Sequence, residues 1–201
     1  MRTAGQALLN AALLFALALW GGMVFFFTFV ATPIVFADLD RDAAARLLGD
    51  LFPRYFAAQA ICIGVALAAV AIRLLWGAAP RRFAGVAAGL LGVALAISLY
   101  AGLGLLPRMQ EAQARVPSFV TTPKDDPARL AYGKLHGQAL ILNAVAALLG
   151  GATLVLVACE PRLLARRDER GAAVARPLAE TSGVGPTDVE LLPAHARPDA
   201  R

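Results

Sequence analysis

Long apolar runs and charged segments alternate along this chain. Residues 3–37, 55–72, 83–107 and 135–159 contain no Asp, Glu, Lys or Arg, and the segments between them carry the charge. Crossing about 30 Å of hydrocarbon takes about 20 helical residues. The first, third and fourth runs reach that length outright. The second reaches it when carried through Arg73 to Trp76, with the arginine stem snorkelling to the headgroups and the tryptophan at the interface. The pattern predicts membrane spans over residues 8–31, 55–76, 83–106 and 136–158. The fold class is therefore all-α, an integral membrane four-helix bundle over residues 1–160.

The polar segments add detail. In the first loop, Asp38 or Asp40 can cap a helix start, and Leu47, Leu48, Leu51 and Phe52 form an apolar stripe at helical spacing. This predicts a short amphipathic helix that Pro53 ends, ahead of the second span. In the third loop, Pro117, Pro123 and Pro127 interrupt the chain. Asp126-Pro127 is a start signal, with Asp as cap and Pro at the first helical position, so the last helix begins outside the membrane. Residues 161–201 are basic and rich in Ala and Pro, and apolar periodicity is lost from about Gly171, which predicts a disordered tail.

Composition agrees with burial in lipid. The chain is 59% hydrophobic and 16% charged, against about 25% charged in soluble domains. A chain of 201 residues cannot hide so much apolar surface from water. The composition excludes a disulfide scaffold and an ordinary water-soluble enzyme. Met1-Arg2 followed by an apolar run imitates a secretory signal, but the run passes through Val24-Phe25-Phe26-Phe27, too long for cleavage, and is read as a retained span. The net charge of +5 sits between and after the spans without interleaved aromatics, which suits anionic headgroups and excludes nucleic acid. Cys62 and Cys159 have no paired spacing and read as small hydrophobes.

An even number of spans puts both termini on one side. Arg81-Arg82 in a very short turn and the arginines after the last span place that side in the cytoplasm, by the positive-inside rule. A bacterial cytoplasmic membrane suits the Ala- and Arg-rich composition.

In lipid, helices associate through close packing and polar contacts. Gly85-x-x-x-Gly89, Ala88-x-x-x-Gly92, Gly21-Gly22 and Gly150-Gly151 offer close approach, either within the bundle or at a seam between copies of the chain. The polar residues within the spans are few: Asn10, Thr28, Gln59, Ser98, His136, Gln138 and Asn143. Asp, Glu and Lys are missing at mid-depth, which speaks against a proton pump. Tyr132, His136, Leu140 and Asn143 share one helix face. They are read either as a hydrogen-bonded packing face or as a wall of a ligand site. Arg54 and Arg108 each follow a proline on the same side of the membrane. They are read as interfacial anchors, paired with Asp50 or Glu111, or as a basic mouth for an anionic ligand. The candidate ligand-binding residues are thus Tyr132, His136, Asn143, Arg54 and Arg108.

The chain resembles the transmembrane protein 205-like family, a four-span domain of unknown function. The matching pieces are Trp20-Gly21-Gly22-Met23-Val24-Phe25-Phe26, then Pro33 and Phe36, then Leu51-Phe52-Pro53-Arg54-Tyr55-Phe56, and in the last span Leu135-His136 and Leu142-Asn143. The resemblance covers about residues 10–158 and implies a small helical membrane bundle without assigned catalytic residues. A more distant similarity to copper-resistance and haem-pathway membrane proteins raises a ligand role for His136. The expected function is a non-enzymatic bundle that binds a small ligand, lipid or protein, with no cofactor. The alternatives are a haem- or copper-handling protein, with His136 and Met23 or Met109 as ligands, and a small transporter or permeability factor.

Overall fold

A computed structural model describes the backbone of residues 2–77 and 79–182 and the side chains of residues 4–77 and 79–160. Among the described residues the regular structure is entirely helical. Four helices are long and apolar enough to cross a membrane: Ala4–Asp38, Arg41–Leu75, Arg81–Ala114 and Pro127–Glu160. Two of them are built in pieces. The first joins α1 (Arg2–Phe26) to α2 (Thr32–Asp38) through a π-helical turn, Phe27–Ala31. The third joins α4 (Arg81–Leu99) to α5 (Leu106–Ala114) through another, Tyr100–Leu105. The second is α3 (Arg41–Leu75) and the fourth belongs to α6 (Pro127–Ser182).

The π turns have a local cause. Each ends two residues before a proline, Pro33 or Pro107. A proline has no N–H and its ring crowds the carbonyl four residues back. Widening the preceding turn relieves that crowding. In the first case Thr32 Oγ1 donates to the carbonyl of Phe27 at 2.8 Å and supplies a bond to the loosened turn.

Pro53 behaves differently from its expected role as a helix stop. It lies inside α3, which runs unbroken from the first loop into the second span. The start is as expected: Asp40 accepts from the backbone N–H groups of Asp42 and Ala43. The short amphipathic helix is therefore the first part of α3 and not a separate element. Pro53 leaves the carbonyl of Gly49 without its helical donor, and Gln110 Nε2 donates to that carbonyl at 3.4 Å. One turn earlier, Gln113 Nε2 donates to the carbonyl of Ala45 at 3.1 Å, so α5 is pinned along α3.

The helices meet along seams of small residues. On α3 the buried positions include Tyr55, Gln59, Cys62, Ala66, Ala69 and Arg73, spaced alternately four and three. On α4 they are Ala84, Ala87, Leu91, Ala94 and Ser98, with the same alternation. Leu13, Leu17 and Trp20 answer from α1. This is the pattern of left-handed helix packing. Because Arg73 falls on that seam it is buried, and does not reach to the surface as the sequence suggested. Gly85, Gly89 and Gly92 lie off the seam, and a β-carbon on any of them meets nothing within 4 Å. The same holds for Gly21, Gly22 and Gly151. Gly150 alone of these is a close approach, against the ring of Trp20.

The turn between α3 and α4 uses Gly77 at φ 66, and its N–H donates to the carbonyl of Leu74. A left-handed glycine is the usual way to stop a helix. The start of α6 is as the sequence predicts: Asp126 Oδ1 accepts from the N–H groups of Ala128 and Arg129. The chain divides into a unit of residues 1–158, which holds the bundle, and a unit of residues 159–201. In the second unit the backbone is helical as far as Ser182, past the point where periodicity is lost. The run Leu163-Leu164-Ala165-Arg166-Arg167 consists of strong helix formers. The remainder of the expected disordered tail, residues 183–201, lies outside the described residues.

Candidate functional site

The α6 face read from the sequence is one wall of a cavity of about 520 Å³. Tyr132, His136, Leu140 and Asn143 all line it. The Tyr132 ring stacks on the His136 imidazole, with centroids 5.9 Å apart and an interplanar angle of 11°. Phe119, from the third loop, covers Tyr132 at 5.0 Å. His136 Nδ1 is buried and has no hydrogen-bond partner. A buried imidazole nitrogen normally has one.

The opposite wall is aromatic. Phe27 of the first π turn stacks on Tyr55 at 4.6 Å and tilts against Phe52 at 5.6 Å. Phe56 meets Tyr55 edge-on at 5.4 Å. The second π turn supports this cluster from behind: a β-carbon on Gly102 would stand 2.9 Å from that of Phe56. Both π turns thus serve the same wall, and both follow from prolines.

The inner end is polar. Tyr55 Oη donates to Asn143 Oδ1 at 3.1 Å, and Gln59 Nε2 donates to the same oxygen at 3.0 Å. Ser98 Oγ donates to Gln59 Oε1 at 3.4 Å. One asparagine oxygen therefore ties α3 to α6, and Gln59 carries the tie on to α4. Gln59 and Ser98 are almost fully buried, so these bonds have no competition from water. Asn143 thus has hydrogen-bond partners on α3, while His136 Nδ1 in the same stack has none.

The outer end is cationic. Arg41 and Arg129 line the cavity, and no acidic side chain does so among the described residues. An Arg129 Nη1 hydrogen bond to the carbonyl of Thr122 holds the third loop. Arg54 and Arg108, the arginines expected at the mouth, do not line the cavity and are exposed. Arg54 Nη1 donates to the backbone carbonyl of Asp50 at 2.9 Å, and Glu111 pairs with Arg115 at 2.6 Å. These are contacts one helical turn apart, shorter in reach than a mouth would need. Phe36 and Leu140, at 52% and 56% exposure, form the rim on the side of α2 and α6. Such exposed apolar residues in a membrane bundle face lipid.

A second, more polar hollow of about 500 Å³ lies between α3, α5 and the third loop. Phe119 and Ala45 line both, and so separate the two spaces. Phe119 is held in place by Asp42, which accepts from its N–H and, at 2.6 Å, from Ser118 Oγ.

Tyr55, Phe27 and Arg41 are the contributors that the sequence did not single out. The Tyr55–Gln59 spacing of four, two polar side chains on one face of an apolar span, is the signal that could have found the inner end. For metal chemistry, no three His, Cys, Asp or Glu side chains come together among the described residues. Met109 lines the cavity with His136, whereas Met23 packs against the bundle core. His195 lies outside the described residues.

A family model described as "Domain of unknown function (DUF4149)" matches residues 15–118. The match takes in the aromatic wall, both π turns and the loop as far as Ser118, and ends before α6. No curated protein and no solved structure matches the chain.

Proposed function

The chain belongs to the family of the domain of unknown function DUF4149, and from the cavity of its bundle we propose that it is a non-enzymatic membrane protein that binds a small ligand drawn from the bilayer. The observation that carries this reading is the cavity itself: a space of about 520 Å³ lined by aromatic side chains on which Tyr132, His136 and Asn143 converge. That volume falls within the range of about 300–1,000 Å³ occupied by small-molecule sites. An apolar lining with a few convergent polar groups is the usual composition of such a site.

The setting we propose is a bacterial cytoplasmic membrane, with both termini in the cytoplasm. The support is the arginine pair at 81–82 and the arginines that follow the fourth span. The cavity then lies in the half of the bundle away from the cytoplasm. The finer family assignment, to the transmembrane protein 205-like group, rests on the pieces around Trp20, Pro53 and His136.

Native mass spectrometry of the full chain, extracted in mild detergent, tests the binding reading. Ala139 lines the cavity, and Ala139→Trp or the milder Ala139→Phe fills it. The expected result is a one-to-one small-molecule adduct that the filled variants lose at unchanged melting temperature. Identical adducts in wild type and both variants overturn the reading. An adduct with the mass of haem or copper that His136→Ala abolishes would replace it with the cofactor-handling alternative.

A further inference from the structure

We infer that the ligand of this cavity is a single-chain anionic amphiphile, its head held by Arg41 and Arg129 and its tail lying on the aromatic wall. The inference rests on the binding reading above and adds the chemistry of the occupant.

Charge gives the head. The charged side chains that line the cavity are Arg41 and Arg129, both cations; Asp42, which interacts electrostatically with Arg129, lies outside the lining and is engaged by Ser118 Oγ and the Phe119 N–H. Two guanidinium groups against one outlying carboxylate leave a cationic excess at the edge of an apolar space, which favours a carboxylate or phosphate there over a neutral head. They also sit at the outer end of the helices, near the starts of α3 and α6. The headgroup region of a bilayer lies at that level, so an anionic head reaches them without crossing hydrocarbon.

Shape gives the tail. Arg129 and Asn143 both line the cavity, and fourteen residues of helix between them span about 21 Å. The wall along that length is Phe27, Phe52, Tyr55 and Phe56, apolar but for one hydroxyl already bonded to Asn143. A narrow apolar slot of this length and volume takes one extended acyl chain and not two. The exposed rim of Phe36 and Leu140 gives the chain a way in from the lipid.

The test uses the full chain in mild detergent with three probes of equal tail: oleate, 1-oleoyl lysophosphatidate and oleyl alcohol. Binding is measured by native mass spectrometry on wild type, Arg41→Gln, Arg41→Gln/Arg129→Gln and Ala139→Trp. The expected result is at least tenfold tighter binding of an anionic probe than of the alcohol in wild type. Arg41→Gln alone narrows this preference. The double variant loses it while still binding the alcohol, and Ala139→Trp binds none. Whichever anion binds more tightly identifies the head as carboxylate or phosphate. Equal binding of all three probes by wild type, abolished in Ala139→Trp, overturns the anionic assignment and leaves the site standing. Binding that Ala139→Trp does not reduce overturns the site itself.

Discussion

Trp20 occupies the space that a side chain on Gly150 would need. A β-carbon built on Gly150 stands 2.2 Å from the six-membered ring of Trp20, and the tryptophan is 2% exposed. The bulkiest side chain of the core on α1 is thus received by the smallest residue on α6. Beyond this contact the π turn that follows α1 and the α6 helix bound the cavity through Phe27, Thr28 and Tyr132–Asn143, so the pair sets how far α6 stands from α1.

Gly150→Ala should therefore destabilise the bundle by about 1–3 kcal/mol, the range for overpacking a filled core. Gly151→Ala, whose β-carbon meets nothing within 4 Å, should change stability by no more than about 0.5 kcal/mol. Melting of both variants in detergent checks this. Trp20→Phe should recover part of the loss in Gly150→Ala, and additive losses would show that the two residues do not share the space.

The Tyr55–Asn143 bond spans two helices at the inner end of the cavity. Hydrogen bonds between membrane helices average about 0.6 kcal/mol and reach about 1.7. A double-mutant cycle of Tyr55→Phe and Asn143→Ala, read by unfolding in detergent, should give a coupling in that range. Gln59 shares the acceptor, so Asn143→Ala alone should cost more than Tyr55→Phe alone.

Pro53 and Gln110 should be coupled through the carbonyl of Gly49. Pro53→Ala restores the helical donor to that carbonyl and should stabilise α3, by up to about 3 kcal/mol. In the Pro53→Ala background, Gln110→Ala should cost less than in wild type. Equal cost in both backgrounds, measured by thermal unfolding, would mean that Gln110 acts elsewhere.

The loop that carries Phe119 should depend on Asp42. Asp42→Asn keeps the shape but weakens the acceptor for Ser118 Oγ and the Phe119 N–H, since bonds to an ionised group are roughly twice as strong as neutral ones. Hydrogen exchange at Phe119 should accelerate by about tenfold, equivalent to about 1.4 kcal/mol. Unchanged exchange would place the anchor of the loop in Arg129 and its bond to Thr122.

The four spans, the Asp40 and Asp126 caps and the shared face of Tyr132, His136, Leu140 and Asn143 are all legible in the sequence. Each depends on periodicity or on residues close in the chain. Which arginines line the cavity was not legible, because Arg54 and Arg108 look equivalent to Arg41 and Arg129 until the helix rotations are known. The π turns decide those rotations in two of the four membrane helices. A π turn changes the face that every later residue presents, and a proline in the sequence does not announce it: Pro33 and Pro107 follow π turns, while Pro53 sits in regular α-helix. The glycines misled for a related reason. Gly85 and Gly89 have the spacing of a packing motif, but Ala84, Ala87 and Leu91 carry the seam. Spacing gives a stripe, and the position of the neighbouring helix decides whether it is used.

A bilayer amphiphile in the space beside His136 should be captured where it lies. Photolabelling of the full chain in membranes with a diazirine-bearing fatty acid, followed by peptide mapping, tests this most directly. The label should concentrate on Phe27–Phe36 and Tyr132–Asn143, and Ala139→Trp should remove it from both. Label spread over the lipid-exposed faces of all four helices, unchanged by Ala139→Trp, would contradict this.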